Sequence, residues 1–318
     1  MKIQLAEHYG LCFGVRDAIA QAEQLAAQGP LTILGELVHN PVVIERLANR
    51  GVTEGALNFP AAAASAQVMI TAHGASDRRR EEWRGAGFNV ADGTCPLVRH
   101  AHAQLRALVE RGCFPVVIGQ RGHVEVEGLI GDFPGAFVLG NADEISHLPA
   151  SARYGVISQT TQPIERVRTL VEHLRAARPA SEVQFVDTVC QPTKNRQNAL
   201  RKLLAECDTL VVVGGRNSNN TRQLAAAGTA AGLKVFHIER PDELDAAWFA
   251  DAESVGLTAG TSTLKETVAA VHARLQAIAE SRVNWDGAAR SVVPLADSSA
   301  EPGKIARAEP RAPHEGNR

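Results

Sequence analysis

Three cysteines share one local setting. Cys12 stands in Tyr9-Gly10-Leu11-Cys12-Phe13-Gly14-Val15, ahead of a helical run from Val15 to Gln28. Cys95 stands in Asp92-Gly93-Thr94-Cys95-Pro96-Leu97-Val98, and Cys190 in Asp187-Thr188-Val189-Cys190-Gln191-Pro192, after a strand-like Glu182 to Val186. Pro96 suits the first position of a helix, and the period to Gly112 is helical, so each thiol falls at a strand-to-helix hinge. Three thiolates from separate stretches suit a metal or an iron-sulfur cluster, because soft ligands select such centres. A 4Fe-4S cluster held by only three cysteines leaves one iron open to substrate. Cys113 and Cys207, each just before an apolar strand core, read instead as small buried hydrophobes.

The histidines divide in the same way. His39, His73 and His123 each follow an apolar strand and are flanked by Gly, Asn or Glu, where an imidazole can donate to an anion. Zinc is the other use of such a mixture, but three histidines and three cysteines exceed one tetrahedral shell. The cysteines are therefore assigned to metal and the histidines to substrate. His8, His147, His173, His237 and His272 read as structural, and His100 and His102 fall on the helix after Cys95. Glu125 and Glu127 flank Val126, sharing a face in an extended segment and diverging in a helical start, and one carboxyl group, desolvated near a cluster, can keep its proton at neutral pH and act as a general acid. Glu127 also reads as a first-turn glutamate favoured by the helix dipole. Ser158 to Thr161, Asn217 to Asn220 and Thr261 to Thr263 are hydroxyl and amide cradles at helix N-termini. They suit phosphate groups, and each alone would serve as a cap.

These residues are positioned by a chain that alternates strand-like and helix-like pieces. Leu31 to Leu34, Gln67 to Thr71, Pro115 to Ile118, Tyr154 to Ile157, Thr209 to Val213 and Val255 to Leu257 all run into polar ends, and open α/β sheets bind ligands beyond the carboxyl ends of their strands. Pro41 and Pro163 open helices, and Ser76 caps another. The pattern predicts three similar α/β domains, each presenting one cysteine: 1–94 with Cys12, His39 and His73; 95–188 with Cys95, His123 and Glu125; 189–281 with Cys190, Ser218 and Ser262. Residues 282–318 mix Pro, Ser, Gly, Ala and charge without period and are expected to form a disordered tail.

Composition bounds the remainder. The 318 residues are 45% hydrophobic, and 33 Lys plus Arg nearly balance 35 Asp plus Glu, so no global field favours nucleic acid or an anionic membrane. The longest apolar runs stop far short of a membrane span, and the start alternates like a strand rather than a signal peptide. A cytoplasmic protein is expected. Five cysteines in such a chain point to metal or catalysis rather than a disulfide framework.

Together the motifs resemble those of a known family. Gly10-Leu11-Cys12-Phe13-Gly14-Val15, Val38-His39-Asn40, Ala72-His73-Gly74, Thr94-Cys95-Pro96-Leu97-Val98, Gly122-His123-Val124-Glu125-Val126-Glu127-Gly128, Gln159-Thr160-Thr161, Cys190 followed by Asn195-Arg196-Gln197, and Thr258-Ala259-Gly260 are similar, in order, to the 4-hydroxy-3-methylbut-2-enyl diphosphate reductases, the IspH or LytB family. The resemblance covers about residues 1 to 280. It implies a pseudo-threefold trefoil around one central 4Fe-4S cluster held by Cys12, Cys95 and Cys190, with one open iron. It implies an iron-sulfur oxidoreductase for the last step of the non-mevalonate isoprenoid pathway, in which two electrons and two protons remove an allylic hydroxyl to give isopentenyl and dimethylallyl diphosphate.

Carried over residue by residue, His39, His73, His123, Ser218, Asn220 and Ser262 match diphosphate-binding positions. Asn219 stands where a second serine is usual and can still donate. Glu125 matches the proton donor, and Thr160 with Thr161 the hydroxyl-side contact. The implied partners are the small allylic diphosphate and an electron donor such as ferredoxin or flavodoxin, with no nucleic acid and no membrane. Val124 replaces a common proline, and Thr263-Leu264-Lys265 a common Ala-Pro-acid. The alternatives are a paralogous reductase of a related allylic alcohol or diphosphate, a cluster-based redox protein and a zinc hydrolase.

Overall fold

A computed structural model describes residues 1–38 and 40–290, with only the backbone for 283–290. Its strands are β1 (Lys2–Leu5), β2 (Leu31–Leu34), β3 (Val52–Gly55), β4 (Gln67–Ile70), β5 (Asn89–Asp92), β6 (Phe114–Ile118), β7 (Phe137–Leu139), β8 (Arg153–Ser158), β9 (Glu182–Phe185), β10 (Thr209–Val213), β11 (Lys234–Ile238) and β12 (Ser254–Ala259). The helices are α1 (Phe13–Ala26), α2 (Pro41–Ala48), α3 (Asp77–Gly85), α4 (Pro96–Glu110), α5 (Val124–Ile130), α6 (Ile164–Ala177), α7 (Gln191–Leu204), α8 (Asn219–Ala230) and α9 (Lys265–Arg290).

The strands form three four-stranded parallel sheets, ordered β5-β4-β2-β3, β9-β8-β6-β7 and β1-β12-β10-β11. Written this way the three orders are equivalent, which is the pseudo-threefold pattern. Inner strands such as Leu31–Leu34 and Thr209–Val213 are buried along their whole length and apolar except at Thr32 and Thr209, as suits strands covered on both faces. Each fully buried Val or Leu there contributes roughly 1.5–3 kcal/mol.

One expected boundary is corrected. Lys2–Leu5, placed in the 1–94 domain, pairs in parallel with Ser254–Leu257 and forms the edge of the third sheet. The physical reason is topology: among the described residues no strand follows β12 to fill the edge that β5 and β9 fill in the other sheets, and the N-terminal strand fills it. The turn after β1 then carries Cys12 into the same position that Cys95 holds after β5 and Cys190 after β9. At the other end α9 runs past Arg282 to Arg290. The rest of the stretch expected to be a tail, 291–318, lies outside the described residues.

Cys113 and Cys207 also occupy equivalent places, before β6 and β10. Each packs against a strand glycine: a Cβ on Gly155 would lie 2.9 Å from Cys113 Cβ, and one on Gly256 would lie 2.8 Å from Cys207 Sγ. Both thiols fill core gaps, as small hydrophobes do.

Candidate active site

Cys12, Cys95 and Cys190 are the N-cap residues of α1, α4 and α7, and none of the three side chains makes a capping hydrogen bond. Each backbone N–H instead donates into the turn that ends the neighbouring inner strand: Cys12 to Thr261 O (3.2 Å), Cys95 to Ala72 O (3.0 Å) and Cys190 to Thr160 O (2.9 Å). Those three turns carry Ser262, His73 and Thr161. The same backbone bond, made three times, therefore sets a thiol beside a polar strand end in every unit.

All five cysteines are free. A Cβ on Gly14 would collide with Cys95 Sγ, so the first turn of α1 lies directly against that thiol. Burial raises the pKa of Cys95 and pushes that of Cys190 up to about 11, and Cys12 and Glu125 are near enough to push both the same way. A thiol kept protonated by burial is a poor nucleophile, whereas a metal drives its deprotonation. Cys190 Sγ also lies 3.1 Å from Thr193 Oγ1, a hydroxyl that can donate to a thiolate. Among the described residues no three His, Cys, Asp or Glu side chains converge tightly enough to hold a single ion. Cys12 acts on both Cys95 and Cys190, and a set of three thiols is the donor chemistry that soft metals and iron-sulfur clusters take.

Glu125 is 1% exposed in the first turn of α5. Its carboxylate accepts the Thr160 N–H at Oε1 (2.6 Å) and the Thr160 hydroxyl at Oε2 (3.1 Å). Burial pushes its pKa up to about 7, against the pull of those two bonds. Thr160 thus touches both Glu125 and, through its carbonyl, the Cys190 turn. Glu127 separates cleanly from Glu125: it is exposed and accepts the Gly122 N–H (3.2 Å), as a local first-turn carboxylate does. His123 caps α5, its Nδ1 accepting the Glu125 N–H at 3.1 Å, which leaves the neutral ring's proton on Nε2.

A cavity of about 40 Å³ opens beside this carboxyl. His73, His123, Glu125 and Thr161 form one wall, with the two imidazoles edge to face at 5.6 Å between centroids. Ser218, Asn219 and Asn220, at the start of α8, form another, and Thr261 with Ser262 closes it. Asn219 Nδ2 donates to Thr161 Oγ1 across units (3.3 Å). Asn220 Oδ1 accepts the Thr261 N–H (3.0 Å), which fixes the amide and leaves its Nδ2 as the donor end. His39 lies outside the described residues. On either side of it, Val38 lines the cavity and Asn40 Nδ2 donates to Ser262 O (2.8 Å). Lys265 is exposed at the head of α9 and does not line the cavity. A larger groove of about 750 Å³, lined by Arg78, Glu127 and Asp132 among others, contains no cysteine and no histidine. Arg196, present in the sequence only as part of a motif, is buried close to Cys12 and Cys190.

Three parallel α/β units, each delivering a thiol and a polar strand end, define the class: a multi-thiol α/β protein with a buried carboxyl beside a small polar cavity. The chain belongs to the LytB protein family, whose model matches residues 3–276. It is 35% identical over 284 residues to a 4-hydroxy-3-methylbut-2-enyl diphosphate reductase of Geotalea daltonii, covering 89% of this chain and 99% of that one. The corresponding Aquifex aeolicus protein is 34% identical, with 88% and 98% covered. A solved (E)-4-hydroxy-3-methyl-but-2-enyl diphosphate reductase, described as the terminal enzyme of the non-mevalonate pathway, superposes with TM-score 0.63 at 33% identity, covering 87% and 99% of the two chains. The Plasmodium falciparum reductase, at 24% identity, shares the fold with TM-score 0.78 over 84% and 86%.

Proposed function

We propose that this chain is an iron-sulfur oxidoreductase, a 4-hydroxy-3-methylbut-2-enyl diphosphate reductase. Its reaction takes the allylic alcohol, two electrons and two protons to water and a mixture of isopentenyl and dimethylallyl diphosphate. One observation carries the proposal: Glu125, a buried carboxyl with a pKa near 7, lines a cavity walled by hydrogen-bond donors and is near enough to Cys95 and Cys190 to act on both.

Cys12, Cys95 and Cys190 would hold a 4Fe-4S cluster. When bound, it supplies the electrons and Lewis acidity at the one iron without a cysteine. The protein's own residues do the rest. Glu125, which keeps a proton up to about pH 7, donates it to the departing hydroxyl, and Thr160 fixes the carboxyl group's orientation by gripping both oxygens. His73, His123, Ser218, Asn220 and Ser262, with Asn219 and the N-terminus of α8, receive the diphosphate; His39 belongs to the same set by its sequence position. Oriented donors and a helix N-terminus suit an anion in a chain whose net charge is only −2. A low-potential carrier such as ferredoxin or flavodoxin would deliver the electrons one at a time.

Anaerobic purification, iron and sulfide counts, and turnover of the allylic diphosphate with a chemical reductant test this reading. A cluster with turnover supports it. An intact cluster without turnover would refute the substrate, and zinc or metal-free protein would refute the chemistry.

A further inference from the structure

Arg196 is 5% exposed on α7, six residues after Cys190. Its guanidinium donates only to backbone carbonyls, through Nη1 to Pro192 O (2.8 Å) and through Nη2 to Gly10 O. Nε is buried with no partner among the described residues. The contrast with the other buried arginine is sharp. Arg80, 9% exposed, has Asp77 at 2.8 Å and Asp92 at 3.4 Å. Arg196 has no carboxylate partner at all among the described residues. A buried cation without a counter-ion is costly, because neutral carbonyls only partly replace its hydration. Both bonded carbonyls lie two residues from a thiol-bearing hinge, Gly10 before Cys12 and Pro192 after Cys190, so the guanidinium is tied into both hinges. The guanidinium does not deprotonate in proteins, so an anionic centre held at these hinges would balance it.

Gly10 adds a second strand of reasoning. It has φ +73°, and a Cβ there would lie 3.1 Å from Thr263 O, so the turn before Cys12 is built tightly against the turn after β12. Arg196 ties that turn to the helix that begins at Cys190, linking two of the three thiol-bearing hinges through one cation.

We propose that Arg196 is the built-in counter-charge of the metal centre: a buried guanidinium that favours the thiolate-bound cluster and favours its reduced form more, because each electron adds one negative charge. It is a positioning and tuning residue, since no contact with substrate is assigned to it. The inference rests on the cluster assignment made above.

The test compares anaerobically prepared holoprotein carrying Arg196→Gln or Arg196→Lys with the parent, by iron and sulfide content and by redox titration of the cluster. Arg196→Gln should bind the cluster, yet at a fixed applied potential its reduced-to-oxidised ratio should fall by about tenfold or more, a midpoint about 59 mV lower for one electron. Arg196→Lys, which keeps the charge and loses the two-carbonyl fork, should stay near the parent. A fully loaded Arg196→Gln protein at the parent's potential overturns the proposal, as does an Arg196→Lys protein whose potential falls equally. If Arg196→Gln binds no cluster, retention by Arg196→Lys supports the charge role, and loss in both variants reduces Arg196 to a structural tie. A parent without iron overturns the cluster assignment itself, and is distinguished from the other failures because it appears before any substitution.

Discussion

Replacing Glu125 with Gln should separate the chemistry of this site from its stability in a pH-dependent way. In the parent, burial raises the carboxyl pKa from an ordinary 4.5 to about 7. The folded state therefore holds a proton that the unfolded chain has released throughout that interval. The consequence for stability has one sign: below about pH 4.5 the group is neutral in both states and contributes nothing; from there to about pH 7 stability falls; above that the loss is constant, on the order of 3 kcal/mol. Glutamine cannot ionise, and its shape suits the site, with Oε1 accepting the Thr160 N–H and Nε2 donating to a Thr160 hydroxyl that rotates to accept. Glu125→Gln should thus match the parent in stability near pH 5 and exceed it by about 3 kcal/mol at pH 8, while turnover falls by ~10²-fold or more, as loss of a general acid demands. Denaturant unfolding of both proteins at pH 5 and pH 8, with the difference spectrum of the protonated carboxyl band in the infrared, measures each part. A stability difference that is flat across this range, or a carboxyl already ionised at pH 6, would refute the assignment of Glu125 as a buried acid.

Three other outcomes follow from the same geometry. Cys95→Ser should lose the cluster, while Cys113→Ser, in the core beside Gly155, should bind the parent's iron at a stability cost of about 1 kcal/mol, both read from iron counts and thermal unfolding. Gly14→Ala places a methyl group against Cys95 Sγ and should cost about 1–3 kcal/mol and lower iron content, with Phe13→Ala on the same turn as a control that keeps its iron. Thr160→Val removes one of the two bonds that lower the Glu125 pKa, so the infrared titration of that carboxyl should move to higher pH; a shift to lower pH would contradict the burial account.

Much of this was legible because local chemistry and tertiary role coincide. Leu31–Leu34 and Thr209–Val213 are strands with the expected bounds, since a short apolar run ending in polar residues has few other uses in an α/β chain. Ser76 caps its helix as its type suggested, accepting the Arg79 N–H at 3.3 Å. The membership of Lys2–Leu5 was not legible, because pairing with a strand some 250 residues later leaves no trace in a local alternation pattern. Glu125 and Glu127 could not be separated by type either. Only the three-dimensional burial of one against Thr160 distinguishes them. Arg196 was invisible as a functional residue for the same reason: the absence of a carboxylate beside it is a property of space, not of spacing.

The departures from the family pattern can now be sorted by what they touch. Thr263 turns its hydroxyl inward to Val213 O (3.0 Å) and is 1% exposed, acting as a strand-end tie beneath the cavity. Lys265 is exposed at the head of α9, so its charge is screened by solvent and adds little to the cradle. Asn219 is the departure that reaches the site, and it does so by donating across units to Thr161. An amide there exchanges a hydroxyl, which can both donate and accept, for a longer group whose Nδ2 only donates. Its Nδ2 reaches Thr161, which lines the cavity together with Glu125. Asn219→Ser should therefore change the KM for the allylic diphosphate by a modest factor, about threefold to tenfold, with a smaller effect on kcat, since a donor to a neighbouring threonine acts on binding more than on proton transfer. Steady-state kinetics of the two proteins with one chemical reductant decide it. A large fall in kcat at unchanged KM would place Asn219 in the proton-delivery machinery with Glu125 and Thr160 instead.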